Sequence, residues 1–316
     1  MSAFVNVIRA ELYKAVRKRR FYIVFGLQWL LLPVLVLLIG WLLIANVSGT
    51  FADTGAEVAM IVQEIASPFG MARVSLVLPA LLAPPFLIIV IALIAALFMG
   101  EERSQNMWKT VVTAQPNRFA VLFGKLAAAM IVLAVFLIGA LLASVVFGTV
   151  GMLFLPTDFS GDWGSVIGLY GLQWVFAIAG MLFAFLMVWL IRSIPFGIVA
   201  IFFLPPLFEG LYSIYRATVG FDRLNRFNAF LQAIELQQTL QNLPRYFFTN
   251  NLYGPSREPL GEIARAFGGD TSGVDGPLAN ILGFNFDITR SLITMGVYAL
   301  IFGVILTWSF VRRDID

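Results

Sequence analysis

Cysteine and histidine are both absent from the 316 residues. Their absence excludes structural disulfides, Cys/His metal centres and every nucleophilic scheme built on a thiol or an imidazole. Charge is scarce as well. Asp, Glu, Lys and Arg make up 12% of the chain, about half the usual quarter of a soluble protein. Lysine occurs only at Lys14, Lys18, Lys109 and Lys125. What fills the chain instead is apolar: the hydrophobic set reaches 60% and mean hydropathy is +0.89. A soluble fold cannot hide that much apolar surface, so most of it must face lipid. The net charge of +3 punctuates apolar runs and forms no broad basic stripe, which argues against a nucleic-acid partner.

Residues 1–20 read as an amphipathic helix lying at a membrane surface. Phe4, Ile8, Leu12 and Val16 recur at helical spacing, and Arg9, Lys14, Arg17, Lys18, Arg19 and Arg20 supply the basic side. Phe21 to Ala45 then runs without a charge, long enough to cross a core of about 30 Å. It is also too long for the apolar region of a cleaved signal, roughly 7–15 residues. Asn46 to Val77, with Asp53, Glu57, Glu64 and Arg73, reads as an external loop carrying a short helix. Further spans are expected at about 78–99, 126–150, 166–191, 194–212 and 291–310. Pro79, Pro84 and Pro85 crowd the outer end of the second span and should kink it. The third is rich in Gly and Ala, which permit close helix packing. Between the fifth and sixth spans, residues 213–289 form one large polar segment. A helix is expected there over Asp222–Leu243, and a short one near Pro259–Phe267.

The fold class is therefore an all-α polytopic membrane protein, an interfacial helix followed by six transmembrane helices. Its parts are the helix 1–20, five spans over 21–212, the external helical segment 213–289, and the sixth span with the C-terminus, 290–316. Six spans place both termini on one side. Of the 21 Lys and Arg residues, 13 fall on that side and 8 on the other. The 13 are the six in the first helix, Arg103, Lys109, Arg118, Lys125, Arg192, Arg312 and Arg313. By the positive-inside rule both termini are cytoplasmic.

Catalytic patterns are missing. Gly124-Lys125 is followed by Leu126, so no phosphate cradle forms there. No span contains an Asp, and paired acidic motifs for a diphosphate are absent. Two features remain. Glu209, in Pro206-Leu207-Phe208-Glu209-Gly210, is an acid in an apolar run and a candidate for the translocation path; an acid at the membrane interface is the plainer alternative. The cytoplasmic loop 100–119 holds Glu101, Glu102, Arg103, Asn106, Met107, Trp108 and Lys109, then Pro116-Asn117-Arg118. Acids at a helix start suit its dipole, and an exposed Trp suits a protein groove. A helix lying on lipid headgroups is the bland reading of the same loop.

Taken in order, the basic first helix, the Glu-bearing loop Glu101–Thr110, Pro116-Asn117-Arg118 with Gly124-Lys125-Leu126, and the closing Phe310-Val311-Arg312-Arg313-Asp314-Ile315 resemble the membrane subunits of ABC transporters of the type-2 permease, exporter-like class. Asn106 stands where that family usually has Gly, and the outer segment is longer than in compact members. The resemblance implies a permease in the plasma membrane of a bacterium or archaeon, paired with a second permease subunit and surrounded by lipid. It implies that ATP and magnesium bind a separate cytoplasmic ATP-binding subunit, so that this chain holds no cofactor and is not itself an enzyme. It implies a coupling role for Glu101, Glu102, Arg103, Asn106, Met107, Trp108 and Lys109, and export of a lipid, hydrophobic peptide or drug-like molecule. An ion-gradient-driven transporter or channel, and a structural subunit of a larger complex, are the competing readings.

Overall fold

The computed structural model describes residues 3–50, 55–81, 84–104, 117–191, 193–218, 242–259 and 287–312. Among these residues all regular structure is helical. Helix α1 is Ala3–Val16; α2, Arg19–Gly26, continues through a π-turn at Leu27–Leu31 into α3, Leu32–Thr50. Then follow α4, Gly55–Ala66; α5, Pro68–Leu81; and α6, Phe86–Ala95, which runs through a second π-turn, Ala96–Gly100, into α7, Glu101–Ser104. The long helices are α8, Arg118–Gly151; α9, Trp163–Ile191; α10, Ile194–Thr218; and α12, Ile288–Arg312. A short helix, α11, covers Phe248–Leu252.

Among the described residues, five helices are long and apolar enough to cross a membrane, and up to six if the bent pair α4–α5 is one span. The six spans expected from sequence therefore correspond to five clear helices plus a region of broken ones. Residues 46–77 are not a loop with one short helix. The described residues among them are almost all helical, with α4 and α5 meeting at 69°. Two of the charges that suggested solvent pair with each other: buried Arg73 donates to Glu64 Oε1 at 2.6 Å and lies over the Phe69 ring. Nor is 78–99 one helix. Pro79 is tolerated inside α5, whereas Pro85, with ψ of 140°, stands extended ahead of α6. Prolines lack the amide a continuous helix needs, so the chain restarts here.

The core centres on α9, where Phe176, Ala177, Met181, Ala184 and Phe185 are fully buried. Its apolar centre is 67% enclosed, against 11% for Ile194–Tyr212 and 17% for α12. The outer surfaces of those two helices carry Phe203, Phe208, Ile293 and Leu300 exposed, which a bilayer solvates and water does not. Helix α12 runs beside α9 in the same direction, with ring pairs Phe183–Phe302 at 5.1 Å and Trp189–Phe310 at 4.8 Å. Helix α8 uses two glycines for close approach. A Cβ at Gly139 would fall 2.2 Å from the Trp29 ring, and one at Gly148 2.4 Å from the Pro68 Cα. The small residues expected in the third span thus admit the first π-turn and α5.

Candidate functional site

The site begins in α1. Its inner stripe is Ile8, Glu11, Leu12 and Ala15, packed toward α8, while Phe4 and Val16 point outward. The apolar face read from sequence is therefore only half used, because α1 is seated on protein. The single acid of the first twenty residues, Glu11, turns inward. There it meets Lys125 of α8, whose side chain is fully buried. Lys125 Nζ donates to Glu11 Oε1 at 2.6 Å and to the Phe98 carbonyl, in the second π-turn, at 3.0 Å; it lies 2.9 Å from Glu102 Oε1. Lys14 donates to Glu102 at 2.6 Å and to Glu11 at 3.2 Å. Lys18 donates to Glu101 at 2.6 Å.

Charges buried in this manner are tolerable only when they compensate one another. Two carboxylates, Glu11 and Glu102, and two ammonium groups, Lys14 and Lys125, do so. Glu102 Oε2 is buried with no hydrogen-bond partner among the described residues. For Glu102, burial opposes ionisation, but the Lys125 charge and the bonds from Lys14 and Lys125 prevail and hold its pKa below the ordinary value. Lys14 is shifted upward for the matching reason: burial works against its charge, and Glu102 and Glu11 outweigh it. The cluster ties α1, α7 and α8 together at one end of the bundle. Arg118 adds α12 to that end by donating to the Val311 carbonyl at 2.8 Å.

Of the loop residues singled out from sequence, Glu101 and Glu102 face these lysines, and Arg103 lies in α7. Asn106, Met107, Trp108 and Lys109 lie outside the described residues. Sequence reasoning missed the partners Glu11, Lys14 and Lys125. A lone acid in a basic helix and a lysine inside an apolar run were the available signals.

Glu209 is held at the opposite end. The Thr249 amide donates to its Oε1 at 2.8 Å, and the Thr249 hydroxyl donates to the same oxygen. Thr249 stands in the first turn of α11, so Glu209 accepts an amide that the short helix leaves without an internal partner. Residues 242–259, read from sequence as part of an external segment, fold into the bundle. Leu252 and Tyr253 are buried, and Phe248 packs among Phe183, Tyr298 and Phe302. Gln173, fully buried on α9, donates to the Leu252 carbonyl at 2.8 Å and accepts from Ser256 at 2.5 Å. Below them a small cleft of about 20 Å³ lies among Gln28, Ser75, Phe86, Phe136, Tyr170 and Gln173. Its polar lining is internally bonded: Gln28 donates to Ser75, and Tyr170 to the Ala72 carbonyl at 3.0 Å. Neither helix expected within 222–267 can be placed, since residues 219–241 and 260–286 lie outside the described ones. Among the described residues, no three acidic, His or Cys side chains stand where they could share a metal ion.

Residues 7–207 match the model of the family described as ABC-2 family transporter protein. The chain belongs to this family. It is a multi-pass transmembrane permease of the ABC transporter class, and the resemblance drawn from the motifs is borne out. The match runs from α1 into α10, taking in the whole ionic cluster and stopping short of Glu209. Neither the curated proteins nor the solved structures contain a match to the permease.

Proposed function

We propose that this permease exports a lipid, hydrophobic peptide or drug-like substrate, driven by ATP that a separate cytoplasmic subunit hydrolyses with magnesium. The observation that carries the reading is the ionic cluster. It fixes the start of the segment Glu101–Lys109 to α1 and α8, so a push on that segment is delivered to helices and not absorbed by a slack loop. The ATP-binding subunit engages Arg103, Asn106, Met107, Trp108 and Lys109, and Glu101 and Glu102 tie the start of that segment to α1 and α8. Both termini are cytoplasmic, in keeping with the basic asymmetry of the sequence and with α1, α7, the start of α8 and the end of α12 meeting at one end. A second permease subunit completes the path, and closure at the cytoplasmic end shifts the bundle between two arrangements. Glu209 borders the outer part of that path. It is an acid in a membrane helix held by groups of the folded-in segment, the setting in which such residues carry function.

Trp108→Ala tests the reading. Removing an aromatic anchor at an interface costs about 2 kcal/mol, roughly thirtyfold in affinity. Retention of the ATP-binding subunit on the purified permease should fall accordingly, or ATP hydrolysis should lose its link to transport, with the melting temperature of the permease unchanged. Arg245→Ala, at the other end, should leave both intact. Full retention and full coupled transport in Trp108→Ala would remove the coupling role. Charge reversal at Glu101 or Glu102 is the poorer experiment, because each would break an internal ion pair.

A further inference from the structure

The basic residues of the N-terminal region divide into two kinds. Lys14 and Lys18, each part-exposed, are committed to ion pairs with Glu102, Glu11 and Glu101. Arg9, Arg17, Arg19 and Arg20 are exposed and have no acidic partner among the described residues. Arg9, Tyr13 and Val16 recur at helical spacing along the outward side of α1, Arg17 follows in the turn, and Arg19 and Arg20 open α2 after the extended Lys18. Tyr13 and Val16 are exposed at 60% and 66%, the Arg17 guanidinium lies 4.2 Å over the Tyr13 ring, and the Tyr22 hydroxyl donates to the Val16 carbonyl at 2.7 Å. This surface continues directly into the apolar exterior of the first membrane helix, where Ile23, Leu27, Leu30 and Leu31 are exposed. Four arginines therefore stand on α1, in the turn after it and in the first turn of a helix long and apolar enough to cross a membrane.

We infer that this surface is a binding site for anionic phospholipid headgroups. Three observations converge on that occupant. The exposed charge is of one sign, which favours a partner that brings negative charge. The bearers are arginines, whose planar fork of donors matches phosphate oxygens in pairs, whereas Lys14 and Lys18 are already engaged by carboxylates. And the patch is continuous with lipid-facing aliphatic surface, with Tyr13 and Tyr22 placed as interfacial aromatics commonly are. The inner side of α1 thus serves the ionic cluster and its outer side grips the bilayer. The inference rests on α2–α3 crossing the membrane and needs no ATP-binding partner.

The test uses the full permease in vesicles of phosphatidylcholine with roughly one-quarter phosphatidylglycerol, about the anionic share that gives a cytoplasmic leaflet its negative potential. After gentle detergent extraction, the ratio of the two lipids retained on the protein is measured. Wild type should retain phosphatidylglycerol well above its bulk share. Each basic residue near such a surface is worth roughly fivefold in headgroup affinity, so R9Q/R17Q/R19Q/R20Q should lose the enrichment about tenfold or more. High salt should reduce it in wild type. Arg245→Gln, which removes an exposed charge at the other end, should not. Should the quadruple variant fail to fold, R9Q/R17Q and R19Q/R20Q are read separately, each expected to lose part of the enrichment. Undiminished phosphatidylglycerol retention in the folded variants overturns the inference. So does unchanged lipid retention with loss of the ATP-binding subunit, which would assign the surface to protein; the Trp108→Ala result stands apart from either outcome.

Discussion

At one end of the bundle Glu102 meets two ammonium groups; at the other, Glu209 meets a hydroxyl and a backbone amide. The first arrangement is charge-compensated and drawn from three helices far apart in sequence. Glu11, Glu102 and Lys125 are buried, so removing one of them leaves an unbalanced charge in a dry place, while half-exposed Lys14 closes the cluster toward solvent. The second is a carboxylate held by the amide and hydroxyl of Thr249, with the Arg257 guanidinium of the same segment 242–259 acting on it through space. All of these groups come from one short segment, so the contact is made or lost as that segment docks or parts. A transporter needs one end to receive force without yielding and another to open. The difference in chemistry matches that division.

The largest expected effect lies at the ionic end. Lys125→Met leaves Glu11 and Glu102 facing each other with only Lys14 between them, and breaking a buried pair in this way costs about 3–5 kcal/mol. A pronounced fall in melting temperature in detergent should result, and adding Glu102→Gln should recover part of it. An unchanged melting temperature in Lys125→Met would mean the cluster is not stabilising. At the other end the effect is smaller and depends on chemistry. Glu209→Ala removes the acceptor from a charged hydrogen bond, typically about 1.5–3 kcal/mol. Glu209→Gln keeps an acceptor oxygen and should melt close to wild type. Proteolysis of 242–259 should accelerate in the Ala variant and barely change in the Gln variant, while Gln alters transport. Wild-type transport in Glu209→Gln would take this residue off the path.

Acid sharpens the same contrast. Glu102 has its pKa lowered in the fold, so its stabilising contribution is complete above the unperturbed value of 4.5 and is lost as pH falls through the lower folded value. The Lys14 shift is upward, so its contribution is complete below 10.5 and fades only as pH rises through the higher folded value. Between those limits the cluster should hold. The difference in melting temperature between wild type and Glu102→Gln should be steady at neutral pH and shrink below the ordinary carboxylate range. A difference that persists undiminished in acid would show that Glu102 contributes by shape and not by charge.

Apolar run length sufficed to place α2–α3, α8, α9, α10 and α12, because a bilayer demands long helices and these have little polar interruption. Residues 46–81 resisted for the opposite reason. Glu64 and Arg73 look like solvent-facing charges until the fold places one beside the other, and a single sequence does not show which charges are partners. The same holds at the candidate site. Glu101 and Glu102 were legible as a charged loop start, but their lysines lie 83 and 88 residues away. Glu209 was legible as an acid in an apolar run; Thr249, its donor, was not, since a threonine in a polar stretch carries no mark of its own.

The smallest effect compares two ways of capping a helix. Helix α8 opens with a local cap, the Asn117 side chain accepting from the Ala120 amide at 3.1 Å, while α11 relies on Glu209 from another helix. A local cap is formed by the chain's own turn and survives motion of its neighbours, whereas a distant cap is lost whenever the two elements part. Asn117→Ala should therefore cost about 1 kcal/mol, a shift of melting temperature with little consequence for proteolysis of 242–259. Asn117→Asp should retain the cap and gain slightly from the helix dipole. Because Asn117 ends the segment that Glu101 begins, the Ala variant also loosens the far anchor of the coupling segment. A modest fall in coupled transport with ATP-binding-subunit affinity unchanged is the expected signature. If instead Asn117→Ala abolishes coupling outright, the anchor that matters is Asn117, and the weight assigned to the Lys125 cluster is misplaced.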